Sequence, residues 1–367
     1  MLIKRLKLND YRNYESLDFR PGTGMNVIVG ENAQGKTNVL EAVFLCAFGK
    51  SHRASRDIEL IRSGLRGAYV GVTLTNLLGT QTIEAKLREG ESKKMLINSQ
   101  PLKRMGELMG VLNAVFFSPG DLCLVQGAPS ERRRFMDMEL SQIYPNYFYR
   151  LQQYNLALKQ RNALLKEGAH AAKPGLLAMW DEQLASLGES IITTRCRFID
   201  EISTIARDLH RGISGGKEQL NVCYDPNVEA DSPLGVRETL LERLAQSAGE
   251  DLRRGFTTVG PHRDDIAIKL MDTDLRTYGS QGQQRTAALS LKLSEIALLR
   301  GVKNEPPVLL LDDVLSELDD GRQRLLLETA ATCQCFLTCT SLSGVEKAGI
   351  LTDMEVFSCE NGGLTKR

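Results

Sequence analysis

The chain has 367 residues, 42% hydrophobic and 25% charged, the make-up of a soluble globular protein long enough for two domains. Basic and acidic residues balance at 46 each, so no whole-protein basic field draws in nucleic acid, and any such contact must come from local clusters. No apolar run approaches the roughly 18–20 residues that span a bilayer. Met1-Leu2-Ile3-Lys4-Arg5-Leu6-Lys7 lacks the apolar core of a secretory signal, so a cytoplasmic protein is expected.

In chain order, Leu6 and Leu8 alternate with Lys7, as in a half-buried strand. Met25-Asn26-Val27-Ile28-Val29 is a short apolar strand running into Gly30. Leu40, Val43, Phe44 and Ala47 then fall at i, i+3, i+4 and i+7, one face of a helix. Val70–Thr75 and Thr80–Leu87 alternate around Asn76-Leu77-Leu78-Gly79, the pattern of a hairpin. After Pro119 the pattern turns helical, over residues 130–167, 176–212 and 236–253, with a break at Gly168–Gly175. Short antiparallel helices are expected, because no heptad pattern lasts over many turns.

Strand-like alternation returns at Ile266-Ala267-Ile268. A helix bearing Leu289, Leu293 and Ile296 follows, with Gly301 as its expected stop ahead of Pro306-Pro307. Val308-Leu309-Leu310-Leu311 has the continuous apolar character of a strand buried on both faces of a parallel sheet, and it ends in Asp312-Asp313. Among eight cysteines, Cys333, Cys335 and Cys339 lack zinc spacing and read as small buried residues in or beside a strand.

Gly30-Glu31-Asn32-Ala33-Gln34-Gly35-Lys36-Thr37 is a full phosphate-binding loop, G-x-x-x-x-G-K-[ST], in the strand–loop–helix context that the motif requires. Gly30 and Gly35 let the backbone wrap close to phosphates, while the N–H groups at the helix start point at them. Lys36 reaches the β and γ phosphates, and Thr37 offers a hydroxyl to Mg²⁺. A nucleoside triphosphate with Mg²⁺ is the expected ligand. Asp312, at the carboxyl end of its strand, is expected to hold Mg²⁺ directly or through water. Asp313 either polarises the attacking water or is a solvated acid at a strand end. Ser280-Gln281-Gly282-Gln283-Gln284-Arg285, at the start of a helix, is either a second anion-binding turn or a plain helix cap.

Placed before the aspartate strand, that turn resembles the signature motif of ABC-type ATPases. Ser316-Glu317-Leu318-Asp319 resembles their D-loop. Further blocks run nearly end to end: Asn9-Asp10-Tyr11-Arg12-Asn13-Tyr14, Phe117-Ser118-Pro119, Pro129-Ser130-Glu131-Arg132-Arg133-Arg134-Phe135 and Gly260-Pro261-His262-Arg263-Asp264-Asp265. With these the chain resembles the RecF family of bacterial recombination ATPases, related to SMC proteins.

The resemblance implies an α/β fold, an ABC-type P-loop ATPase head with a helical second lobe inserted between the phosphate-loop half and the signature and acidic-strand half. The head would take residues 1–118 and 256–367, and the lobe 119–255. It implies ATP as the nucleotide, slow hydrolysis, and an ATP-dependent homodimer. In that dimer Ser280, Gln281, Gly282 and Gln283 close over the ATP of a second subunit. It also implies binding to DNA gaps and single-strand/double-strand junctions, and work with RecO and RecR in loading the RecA recombinase. Arg12 would sit close to the nucleotide.

Departures from the pattern favour a slow switch over a fast motor. Asp313 stands where most ABC ATPases have glutamate, no glutamine is evident near Phe117–Gly120, and no histidine follows Phe336–Thr340. An ATPase subunit of a transporter, or a scaffold ATPase without DNA, are the competing readings.

For DNA, Arg132-Arg133-Arg134 is the densest basic run. In the first turn of a helix, cations oppose the macrodipole, so helix stability does not explain them. Phosphate binding, ion pairing with Asp137 and Glu139, or a solvated face would. Lys4, Arg5 and Lys7, Lys93-Lys94 and Arg253-Arg254 are further candidates. His262 and Arg263 belong either to a structural network between lobes or near the nucleotide.

Overall fold

The computed structural model describes residues 1–168, 174–229, 235–347 and 354–367. The chain begins with β1 (Leu2–Tyr11), β2 (Tyr14–Phe19), β3 (Met25–Val29), α1 (Lys36–Phe48), β4 (Gly67–Asn76), β5 (Gly79–Arg88), β6 (Lys94–Ile97), β7 (Gln100–Pro101) and β8 (Ala114–Phe117). Next come α2 (Cys123–Gln126), α3 (Pro129–Ile143), α4 (Pro145–Lys166), α5 (Pro174–Ile213), β9 (Leu220–Asp225), α6 (Val236–Arg254), β10 (Asp265–Leu270), β11 (Thr273–Asp274), α7 (Leu275–Tyr278) and α8 (Gln281–Lys303). The chain closes with β12 (Val308–Asp312), α9 (Asp320–Ala330), β13 (Cys335–Cys339), α10 (Ser343–Lys347), β14 (Met354–Glu360) and β15 (Gly363–Lys366).

Two compact units result, one of residues 1–121 and 292–367, the other of residues 122–291. The first holds two sheets. One has the order β15-β14-β3-β13-β12-β8, parallel from β14 through β8, with β15 antiparallel at its edge. The other is antiparallel, in the order β2-β1-β4-β5-β6-β7. All five residues of β3 are buried, and so are Val308 to Leu311 of β12, as continuous apolar runs demand of central parallel strands. Cys335 and Cys339 lie buried within β13, and Cys333 is buried just before it.

One face of α1 was expected to be apolar and buried. Instead Val39 through Phe48 is buried on every side. The reason is a second sheet: α1 packs against β4 and β5 as well as against β8, β12 and β13. Each fully buried Leu, Val or Phe contributes about 1.5–3 kcal/mol, so this helix is held firmly behind the loop that precedes it. Gly301 does not end α8. The helix runs on to Lys303, and Asn304, with φ 56°, supplies the left-handed residue that stops it.

In the second unit the stretch expected to be helical over 130–167 divides at Tyr144 into α3 and α4, while the stretch expected over 176–212 forms one long helix, not a short one. α5 has 40 residues, about 60 Å at 1.5 Å per residue. Of the break expected at Gly168–Gly175, residues 169–173 lie outside the described residues. β10 pairs antiparallel with β9, from Asp265↔Asp225 to Leu270↔Leu220, and with β11. That pairing gathers residues 256–291 with the helices. The compact units are bounded at 121/122 and 291/292, where the expected head and lobe were bounded at 118/119 and 255/256. No helix among the described residues is long and apolar enough to cross a membrane.

Candidate nucleotide-binding site

The loop after β3 is shaped by its glycines and gripped from outside. A Cβ on Gly30 would lie 2.4 Å from the Cys359 carbonyl oxygen, and Gly35 has φ 111°, so neither position accepts a side chain. Asn13 Nδ2 donates to the Gln34 carbonyl (2.8 Å), and Asn38 Nδ2 donates to Asn13 Oδ1 (2.8 Å). Tyr14 donates its hydroxyl to the Gly35 carbonyl (3.1 Å), and the Asn361 N–H donates to Gln34 Oε1 (2.8 Å). Burial pushes the Tyr14 hydroxyl far above its ordinary pKa, so it remains a donor. Glu31, Asn32 and Ala33 form the exposed crest. The Lys36 ammonium, 7% exposed, donates to the carbonyls of Gly30 (2.6 Å) and Glu31 (2.8 Å).

Thr37 lies in the first turn of α1, and its hydroxyl donates to Asp312 Oδ1 at 2.8 Å. Thr338 of β13, the register partner of Asp312, donates to the same oxygen at 2.8 Å. A hydroxyl and a carboxylate side by side at a strand end are the hard oxygen donors that suit Mg²⁺. Asp313 takes a left-handed backbone, φ 52°, with its N–H on Thr338 Oγ1 (3.0 Å). Burial raises the Asp313 pKa, Asp312 and Glu317 add to this, and Lys36 opposes it. A carboxylate so placed is a better proton acceptor than a free one.

Arg12, expected close to the nucleotide, is held by Glu41 and Glu59. It makes a two-pronged pair with the wholly buried Glu41 of α1 (2.7 and 2.8 Å) and donates to the Glu59 carbonyl (2.8 Å). Sequence reasoning missed the grip on the loop. Asn13 and Tyr14 stood inside a recognised block without a role. Cys359 and Asn361 carry no local signal for a contact more than three hundred residues away.

In the second unit, Ser280 to Gln283 cap α8 reciprocally. The Ser280 N–H donates to Gln283 Oε1 (2.9 Å), and the Gln283 N–H donates to Ser280 Oγ (3.3 Å). Ser280, Gln281 and Gly282 are exposed. Gln284 is buried, donates to the Leu275 carbonyl (2.9 Å) and accepts from Gln126 (2.6 Å).

The three arginines at the start of α3 part company. Arg132 is 4% exposed, paired with both oxygens of Asp265 (2.6 and 2.8 Å), and donates to the Gly127 carbonyl (2.9 Å). That removes it from the candidates for DNA contact, and its partner is neither Asp137 nor Glu139. Arg133 is half-buried and donates to the Asp264 carbonyl (2.6 Å), and Arg134 is exposed. Of the lesser candidates, Arg5 pairs with Asp18, Lys93 with Asp57, Lys94 with Glu91 and Arg254 with Glu250. His262 sits inside the second unit, its Nδ1 on the Tyr154 hydroxyl (2.7 Å) and its Nε2 on the Thr257 carbonyl (3.1 Å). Arg263 also donates to the Thr257 carbonyl, at 3.0 Å.

In the parallel sheet β13 lies between the loop strand β3 and the acidic strand β12, and the chain between β3 and β12 carries a whole second unit with a glycine-bearing turn at a helix start. This is an ABC-type P-loop ATPase head. The RecF/RecN/SMC N-terminal domain family model matches residues 2–363. Relatives named DNA replication and repair protein RecF include that of Alkaliphilus oremlandii, 46% identical over 345 residues, 93% of this chain and 94% of the relative. That of Clostridium acetobutylicum is 39% identical over the full length of both. The chain belongs to the RecF family. A solved structure of the recombination mediator protein RecF with ATP, in the RecFOR pathway, superposes with a TM-score of 0.92 at 36% identity, covering 100% of this chain and 97% of that one. An Smc head bound to the C-winged helix domain of ScpA, TM-score 0.58 at 16% identity, is alike in fold alone.

Proposed function

We propose that this protein binds ATP with Mg²⁺ at Gly30–Thr37 and Asp312. Binding joins two copies head to tail on gapped or junction DNA, and slow hydrolysis releases them, in recombinational repair and replication restart. The observation that carries the reading is the bond from Thr37 to Asp312, with Lys36 on one side and Asp313 on the other. It completes a divided phosphate site within one unit. RecF relatives named for DNA replication and repair, and the RecF structure with ATP, support it.

In this mechanism the backbone N–H groups at the start of α1 receive the phosphates, and Lys36 turns its ammonium from the loop carbonyls to the β and γ oxygens. Thr37 Oγ1 and Asp312 would hold Mg²⁺, which would supply charge neutralisation at the phosphates. Asp313 orients the attacking water and accepts its proton. Its side chain is one methylene shorter than glutamate, which favours slow turnover. The exposed Ser280, Gln281 and Gly282 of one copy close over the γ-phosphate held by the other, and Gln283 holds that turn in shape. Arg134 and the exposed side of Arg133 are the DNA phosphate contacts from the α3 cluster. RecO and RecR are the protein partners.

The test is sedimentation of the protein with and without ATP, alongside Lys36→Arg, together with binding to gapped and blunt duplex as salt is varied. ATP-dependent dimerisation lost in Lys36→Arg, and a preference for gapped DNA with ATP, are expected. Equal binding to gapped and blunt DNA would leave an ATPase without this role.

A further inference from the structure

Gln283 has both ends of its side-chain amide engaged. Its oxygen accepts from the Ser280 N–H, and its Nε2 donates to Glu218 Oε1 at 2.9 Å. Glu218 lies in the connection between α5 and β9, where a charged side chain has no reason of its own to stay fixed. It is fixed by His210, near the end of α5, whose Nε2 is 3.1 Å from Glu218 Oε2. A carboxylate only accepts, so the Nε2 proton lies on that bond. His210 is wholly buried, and its Nδ1 is 3.3 Å from Ser290 Oγ, which donates to the Thr286 carbonyl at 2.8 Å. Gln283 and Ser290 are seven residues apart, two turns along one side of α8. The pair His210–Glu218 therefore links the first turn of that helix to its third.

We infer that Glu218 is a positioning residue for the Ser280–Gln283 turn, kept in place by His210. The inference rests on the proposed role of that turn at a partner's γ-phosphate. An isolated capping glutamine exchanges its amide among rotamers, and the turn it closes opens with it. A glutamine pinned at both ends holds the exposed Ser280 hydroxyl and the turn in one arrangement before the partner arrives. Donors fixed in advance cost no reorganisation when charge is presented to them. No motif reading points to Glu218 or His210, because neither belongs to the turn they hold.

The experiment is hydrogen exchange of the peptide containing Ser280 to Gln284 in the full chain. It compares the parent, Glu218→Ala, Glu218→Gln, Gln283→Ala and the double variant Glu218→Ala with Gln283→Ala. ATP-dependent dimerisation and ATP affinity of the dilute protein are read alongside. Glu218→Ala is expected to speed exchange on the order of tenfold, as loss of one charged hydrogen bond does. It should weaken dimerisation and leave ATP affinity unchanged, because the phosphate loop belongs to the other unit. Glu218→Gln keeps an oxygen facing Gln283 and should restore parental exchange, and the double variant should be no worse than Gln283→Ala alone. Parental exchange in Glu218→Ala, or additive effects in the double variant, overturns the inference. Faster exchange in Glu218→Ala, with a parent that itself never dimerises with ATP, sinks the dimer reading and leaves the positioning role standing.

Discussion

Thr37 and Asp312 lie 275 positions apart in the chain and 2.8 Å apart in space, hydroxyl to carboxylate. The same carboxylate oxygen is fixed by Thr338 from β13, the strand beside that of Asp312. Because two hydroxyls hold it, Asp312→Asn keeps the shape of the site and removes its charge. ATP hydrolysis is expected to fall on the order of a hundredfold or more, with the fold intact by circular dichroism. Thr37→Ser, which keeps the hydroxyl, should retain activity where Thr37→Ala loses it. Equal rates for the two would remove Thr37 from the metal site.

Asp313 is expected to set the acid limb of the rate profile. Burial first, then Asp312 and Glu317, raise its pKa. Activity that needs the carboxylate should therefore fall, as pH is lowered, above the ordinary aspartate range. Asp313→Asn should cost about 10²–10⁴ in turnover and abolish that limb, with ATP binding kept. Unchanged turnover would make Asp313 a spectator.

Arg132→Ala should destabilise the protein by about 3 kcal/mol, because it leaves Asp265 partly buried without its cation. Burial works to raise the Asp265 pKa, and the Arg132 hydrogen bonds outweigh it and hold it low. The stability this gives is present at neutral pH and is lost as pH falls through the lowered value. Arg134→Ala should leave the melting temperature alone and flatten the salt dependence of DNA binding by roughly 0.7–0.9 in the log–log slope, one phosphate contact. If Arg132→Ala melts like the parent and loses DNA binding, the assignments are reversed.

His262 should make the second unit acid-sensitive. Burial, with Arg263 and Arg133 nearby, lowers its pKa from 6.5 to about 4. The unfolded chain binds a proton through this interval and the folded chain does not. Stability is therefore full above 6.5 and declines as pH falls towards 4, by about 3 kcal/mol in all. His262→Asn should flatten the fall in melting temperature across that range. A decline equally steep in His262→Asn would assign the acid sensitivity to other groups.

The phosphate loop, the acidic strand and the ATPase head were legible because each is written locally. Glycines and a lysine at fixed spacing suffice for the loop, and an unbroken apolar run before two acids suffices for β12. The burial of α1 on all sides was not legible, since nothing in its own residues announces a second sheet. Arg132 looked like a phosphate ligand because its partner is 133 positions away, and an arginine in a first helical turn does not say which acid it will meet. The partner of β10 was hidden for a similar reason. Ile266-Ala267-Ile268 reads as a strand, but only its pairing with Leu220–Asp225 shows which unit owns it.

The strand that delivers the phosphate loop, β3, is flanked on one side by β13 and on the other by β14, residues 335–339 and 354–360. During synthesis Met25–Val29 precedes both of its neighbours by more than three hundred residues, and until they are made both of its edges are open. An apolar strand without neighbours is a pairing site for any other chain. The nascent protein is thus most in need of chaperone cover during the interval in which its best-recognised motif already exists as sequence. The nucleotide can assist folding only once β12 and β13 have been made.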